Sequence, residues 1–139
     1  MFDHCLYFNT TALARSVERE WTAAYVPFGL TPPQGFVLRV VLKRPGVRNR
    51  ELAEVLGIAR PTATRLVDGL IAKGLAERQA SAEDGRESNL FPTDAARELE
   101  AALQAASARV ARRVREHVGA AAFDDTVQAI RSVRGALNT

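Results

Sequence analysis

Apolar residues in the first part of the chain fall at Leu6, Leu13, Val17, Ala24 and Phe28, spacings of seven and four that line them along one stripe of a long helix. Pro27 and Gly29 end it. The next helix opens at Thr31, which can cap it, with Pro32 at the first helical position and Gln34 placed to reach back as in a capping box. It runs to about Lys43 and stops at Pro45 and Gly46. The pattern predicts two further helices over 49–56 and 60–73, the second closed by Gly74 in a left-handed conformation. Residues 75–80 and 88–91 read as short strands joined by the polar tip 81–87, a hairpin with a Gly-containing loop. Thr93 then caps a long helix with Asp94 in its first turn and the stripe Leu99, Leu103, Ala106, Val110, Val114 and Val118, closed by Gly119. A last helix from about Phe123 carries Phe123, Val127, Ile130 and Leu137 on one face, with Asp124 and Asp125 at its start and Arg131 and Arg134 near its end. The order is four helices, a hairpin and two helices, a mainly α fold with a small β element.

Residues 49–70, NRELAEVLGIARPTATRLVDGL, meet the steric demands of a helix-turn-helix. Such a unit needs apolar residues where its helices touch, a small residue at their closest approach, and a glycine able to take a positive φ at the turn. Leu52 and Leu56 pack inward from the first helix, Ala53 allows the approach, Gly57 turns the chain, Ile58 seals it, and Ala63 and Leu66 pack from the second. Arg60, Pro61, Thr62, Thr64, Arg65 and Asp68 are then left wholly or partly outward. Arginine can bind guanine bidentately in a major groove, and threonine can meet a phosphate or a thymine methyl. Ala59 stands where Ser, Thr or Asp would cap the second helix, a loss of about 1 kcal/mol, and Pro61 in the first turn recovers part of it. In the loop that follows, Asp84-Gly85-Arg86 puts a guanidinium at the tip, where Arg86 can enter a narrow minor groove and Asp84 can hold it.

Composition sharpens this picture. The chain has 139 residues, 47% hydrophobic and 25% charged, the balance of one globular domain, and no Pro- or Ser/Gly-rich linker divides it. Net charge is only +3, yet residues 39–78 hold nine basic side chains against four acidic ones, so the helix-turn-helix region is the basic part of the molecule. The N-terminal MFDHCLYFNT lacks the basic start of a secretory signal, and no apolar run approaches the ~20 residues of a membrane span. A single cysteine, Cys5, excludes an internal disulfide and points to a reducing, cytoplasmic setting. The two histidines, His4 and His117, are too few for hydrolytic chemistry, and there is no phosphate-cradling glycine loop, so neither an enzyme nor a cofactor or metal site is expected.

Taken together, Glu51-Leu52-Ala53-Glu54, Leu56-Gly57-Ile58, Arg60-Pro61-Thr62, Arg65-Leu66-Val67-Asp68, Lys73-Gly74-Leu75, Glu77-Arg78, Asp84-Gly85-Arg86 and Pro92-Thr93-Asp94-Ala95 resemble the MarR family of bacterial regulators, with Ala59 and Pro92 as departures from its pattern. The resemblance covers nearly the whole chain. It implies a winged helix-turn-helix over 31–92 in a single domain of 1–139, with helices in 1–28 and 94–139 joining two copies into an obligate homodimer. The apolar stripes of those terminal helices exceed what a domain of this size needs for its own core, which agrees with a dimer. A symmetric dimer predicts double-stranded DNA with a pseudopalindromic operator, its half-sites one helical turn, ~34–36 Å, apart.

Members of this family respond to small aromatic acids or to thiol oxidation. Phe8, Asn9, Arg15 and Trp21 lie along the first helix as candidate lining of an effector pocket, Arg15 being able to pair with an anionic ligand. Cys5 falls in the first turn of that helix, where the macrodipole favours a thiolate. The sequence thus reads as a DNA-binding repressor released by a small effector. Two alternatives stay open: an oxidation sensor using Cys5, and an architectural or interaction module whose winged fold no longer reads sequence.

Overall fold

The computed structural model describes residues 1–81 and 88–138. The apolar stripe of the N-terminal segment forms α1 (Leu6–Tyr25), which tightens into a 3₁₀ turn, Val26–Phe28, and is closed by Gly29 at φ 68°. In α2 (Pro32–Lys43) the capping box is complete: the Gln34 N–H donates to Thr31 Oγ1 at 3.3 Å, and the Thr31 N–H donates to Gln34 Oε1 at 3.2 Å. Then come α3 (Asn49–Leu56), α4 (Arg60–Ala72), the long α5 (Asp94–Val118) and α6 (Ala120–Leu137). The hairpin strands β2 (Ala76–Ala80) and β3 (Ser88–Pro92) are joined by a strand the periodicity did not predict, β1 (Val47–Arg48). It has two residues and exists through pairing with β3, Val47 opposite Leu90, so the sheet is antiparallel in the order β1-β3-β2.

The core is built on α2. Val37, Leu38 and Val41 are fully buried and meet Leu52 of α3, Val67 and Leu70 of α4, Leu90 of β3 and Leu103 of α5. Tyr25, at the end of α1, is buried at the junction of three helices. Its hydroxyl donates to Ser107 Oγ on α5 at 2.8 Å, Ser107 in turn donates to the Leu103 carbonyl at 2.8 Å, and Arg39 of α2 donates to the Tyr25 oxygen at 3.4 Å. The ring fits only because residue 35 is glycine: a Cβ there would stand 2.4 Å from it. The Lys73 ammonium donates to Gln34 Oε1 at 2.7 Å and to the Gly29 carbonyl, fastening the end of α4 to the start of α2.

The last helix begins at Ala120, directly after Gly119, rather than near residue 123 as the periodicity suggested. Asp124 is therefore not at its start. Its carboxylate accepts from Nε and Nη2 of Arg115 on α5, at 3.3 and 2.9 Å, clasping the corner between the two helices. Among the described residues, no helix is long and apolar enough to cross a membrane.

Candidate nucleic-acid interface

The reading head is assembled by backbone geometry at Gly57. This residue takes φ 65°, its N–H turns back to the carbonyls of Ala53 and Glu54, and the Ile58 N–H donates to Ala53 at 3.0 Å. A side chain would resist that left-handed conformation, so glycine sets the angle between α3 and α4. Ala53, Leu52 and Ala63 are buried where the helices meet; Leu56, Ile58 and Leu66 are half-buried around them. Val67 and Leu70, which the sequence reading did not single out as inward residues, anchor α4, as fully buried as Ala63. They lie four and seven residues after Ala63, a helical stripe that could have identified them.

Anchored this way, α4 turns its N-terminal half outward. Arg60, Pro61, Thr64 and Arg65 are exposed and Thr62 is half-buried. No side chain caps the helix at Ala59, as its apolar nature dictates, although Asn49 Nδ2 donates to the Arg60 carbonyl at 3.4 Å. Pro61 costs the first turn no hydrogen bond, because its missing N–H would have had no partner inside the helix. Thr64 donates its hydroxyl proton back to the Arg60 carbonyl at 3.1 Å, leaving its methyl and oxygen lone pairs to whatever lies outside. Among the described residues, no carboxylate stands within ion-pairing distance of the Arg60 or Arg65 guanidinium.

Asp68 is placed differently. It accepts from Arg78 of β2 at 2.6 Å, and the same guanidinium reaches the Thr64 carbonyl at 3.5 Å. Arg78 thus braces the first strand of the hairpin against the outward helix, a role no local spacing announces because the partners belong to different elements. Asp84 and Arg86 lie outside the described residues.

The residues considered for an effector pocket do not converge. Asn9 donates its side-chain amide to the carbonyls of Asp3 and Cys5, at 3.0 and 2.8 Å, and Phe8 packs on Phe2 with ring centroids 5.3 Å apart, both at the start of α1. Arg15 borders a shallow depression with Arg19 and Thr22. Trp21 alone of the four lines a cleft between α1, α2 and the helix-turn-helix. Cys5 is exposed and is the N-cap of α1 rather than part of its first turn, its sulfur accepting from the Phe8 N–H at 3.5 Å. Among the described residues, no three His, Cys, Asp or Glu side chains gather as a metal site would require.

The MarR family profile matches residues 28–87, the segment that holds α2, the helix-turn-helix and the first strand of the hairpin. Among solved structures, the transcriptional repressor CouR bound to a 23-mer DNA duplex matches over 96% of this chain and 94% of its own, with 28% identity and a TM-score of 0.85. The PcaV transcriptional regulator from Streptomyces coelicolor, in complex with its natural ligand, matches over 90% of this chain and 91% of its own, with 26% identity and a TM-score of 0.77. CouR from Rhodococcus jostii, bound to p-coumaroyl-CoA, shares the fold at 22% identity and a TM-score of 0.78, over 96% of this chain and 94% of its own. No curated protein matches the sequence.

Proposed function

We propose that the chain is a regulator of the MarR family, a homodimeric, sequence-specific DNA-binding repressor that a small-molecule effector releases; the family profile over residues 28–87 and the likeness to CouR support this reading. The observation that carries this reading is the outward half of α4: a rigid helix, fixed from behind by Ala63, Val67 and Leu70, that presents Arg60 and Arg65 without ion-pair partners among the described residues. Free guanidiniums on a preorganised helix suit base edges in a major groove, where Pro61, Thr62 and Thr64 add close contact to the backbone and to thymine methyls. Arg86, supported by Asp84, is assigned to the flanking minor groove from its place in the sequence. The similarity to CouR on DNA and to PcaV with its ligand supports both halves of the proposal.

Two copies are needed because the apolar stripes of α1 and α6 stay exposed on one copy: Tyr7 at 79%, Leu137 at 74%, and Leu6, Leu13, Ile130 and Val133 beside them. Fully burying such side chains contributes roughly 1.5–3 kcal/mol each.

Duplexes selected from a random pool test the reading directly. A selected site should outcompete random duplex by about 10³ or more at fixed salt. Arg65→Ala should cost about 1–3 kcal/mol and relax one base position, whereas loss spread evenly over all sequences would mark a phosphate contact. Binding that depends on salt alone, with no preferred sequence, would instead make the protein an architectural one.

A further inference from the structure

The turn that aims α4 is touched from the far end of the chain. Arg134, in the last turn of α6, holds its guanidinium against Gly57: a Cβ on that glycine would stand 2.9 Å from Arg134 Nη2. We propose that Arg134 is a positioning residue for DNA recognition, a strut from the C-terminal arm to the reading head that sets which half-site spacing the dimer accepts. The proposal rests on the reading above in taking the protein as a dimer on a two-part operator, and it goes further in naming the side chain that fixes the spacing.

A cation in the last turn of a helix ordinarily serves that helix's own carbonyls. Arg134 lies instead at the end of α3. The N–H groups that follow α3 return to Ala53 and Glu54, so among the described residues the carbonyls of Val55 and Leu56 receive no backbone donor. Such carbonyls carry the partial negative charge of a helix C-terminus, which attracts a guanidinium. Among the described residues no carboxylate stands within ion-pairing distance of Arg134, so no stronger partner draws it away.

The arm is thereby held at two points. Near its start Asp124 pairs with Arg115 of α5 at 2.9 Å; Arg134 meets the turn about 15 Å further along the helix. Arg134 also borders the apolar groove that Ile130 and Val133 form with Leu6 and Tyr7 of α1. Ile130 precedes it by one helical turn, so the two share a face. This groove belongs to the exposed stripes that call for a second copy. A partner settled there fixes α6, and through Arg134 it fixes the angle at which α4 leaves the arm.

The consequence is read on DNA. One base pair added between half-sites moves the second by about 3.4 Å and turns it by roughly 35° around the duplex axis. A head held by its strut meets that shift with lost contacts, whereas a head freed from it swings to follow. Arg134 therefore acts on spacing and not on bases, since α4 keeps its outward residues with or without it.

Full-length Arg134→Ala, Arg134→Lys and Arg134→Gln separate these roles on three duplexes: a selected operator, the same operator with one base pair added between half-sites, and a single half-site. The parent protein should bind the lengthened operator about tenfold or more weakly than the selected one. Arg134→Ala should shrink that penalty to about threefold or less, bind the single half-site as the parent does, and sediment with the parent's mass. Lysine, which keeps the charge, should restore part of the discrimination, and glutamine should not. An unchanged penalty in Arg134→Ala overturns the proposal. So does an equal loss on all three duplexes with a salt slope smaller by about one, the mark of a phosphate contact. A species of half the mass overturns it too, by placing Arg134 in the dimer contact itself. A parent that selects a sequence yet tolerates the lengthened operator sinks the strut alone, whereas a parent with no preferred sequence sinks the reading above and the strut with it.

Discussion

Among the described residues, every buried apolar side chain lies between Tyr25 and Val110, whereas α1 before Tyr25 and the whole of α6 bury none. Both regions are helical and amphipathic, and both were legible as such. The middle closes its stripes against itself through α2, α3, α4, α5 and the sheet, so its stability is a property of one chain. The ends leave Leu6, Leu13 and Val17 on one helix and Val127, Ile130, Val133 and Leu137 on the other facing outward. An amphipathic helix owes most of its stability to what its apolar face packs on. The contrast therefore separates what the chain does alone from what it does in company.

The strongest way to break this contrast is to make the ends polar. Ile130→Asp with Val133→Asp puts two carboxylates on the exposed stripe of α6, where a partner's apolar face would have to desolvate them. Sedimentation should show a species of half the mass, and affinity for a selected duplex should fall by about a hundredfold or more as the second half-site contact is lost. The thermal transition of the middle should persist. An unchanged mass would mean that the ends do not join two copies.

The complementary test strikes the middle. Gly35→Ala drives a methyl to within 2.4 Å of the buried Tyr25 ring, which is pinned by Ser107 on one side and Arg39 on another. Overpacking of this kind costs typically about 1–3 kcal/mol, read as a lower denaturant midpoint with unchanged slope. A milder cut at the same junction is Tyr25→Phe, which removes the proton given to Ser107. It should cost about 1–2 kcal/mol, since the Ser107 oxygen stays buried with one partner fewer. If Gly35→Ala is neutral, α2 has room to shift and the middle is looser than its packing implies.

These residues also mark where sequence reading ends. The capping box at Thr31 and Gln34, the left-handed Gly57, the uncapped Ala59 and the cap at Thr93 are decided within a few residues, so the chain states them locally. The outward half of α4 was legible for the same reason, because α3, turn and α4 are contiguous. Gly35 gave no such signal. Its necessity comes from a ring ten residues away, just as Tyr25 finds Ser107 eighty-two residues on, and β1 exists only because Leu90 lies opposite Val47. The candidate pocket meets the same limit: Phe8, Asn9, Arg15 and Trp21 share a helix, but a cleft needs a facing wall, and within one copy of the chain Trp21 is the one of the four with α2 and the turn across from it.

The smallest expected effect lies at the corner where the middle passes into the C-terminal arm. The Arg115 guanidinium, by its hydrogen bonds first and its charge as well, holds the Asp124 carboxyl below the usual carboxylate range. A carboxyl whose value is lowered on folding adds stability above its unfolded value and loses it as pH falls through the lowered one. Both side chains are open to water, so screening keeps the contribution small. Asp124→Asn should therefore lower the thermal midpoint slightly at neutral pH, and the gap to the parent protein should close in acid. A gap that widens in acid would mean that the protonated carboxyl holds the corner better than the charged one, and that the Arg115 guanidinium does not lower the Asp124 value.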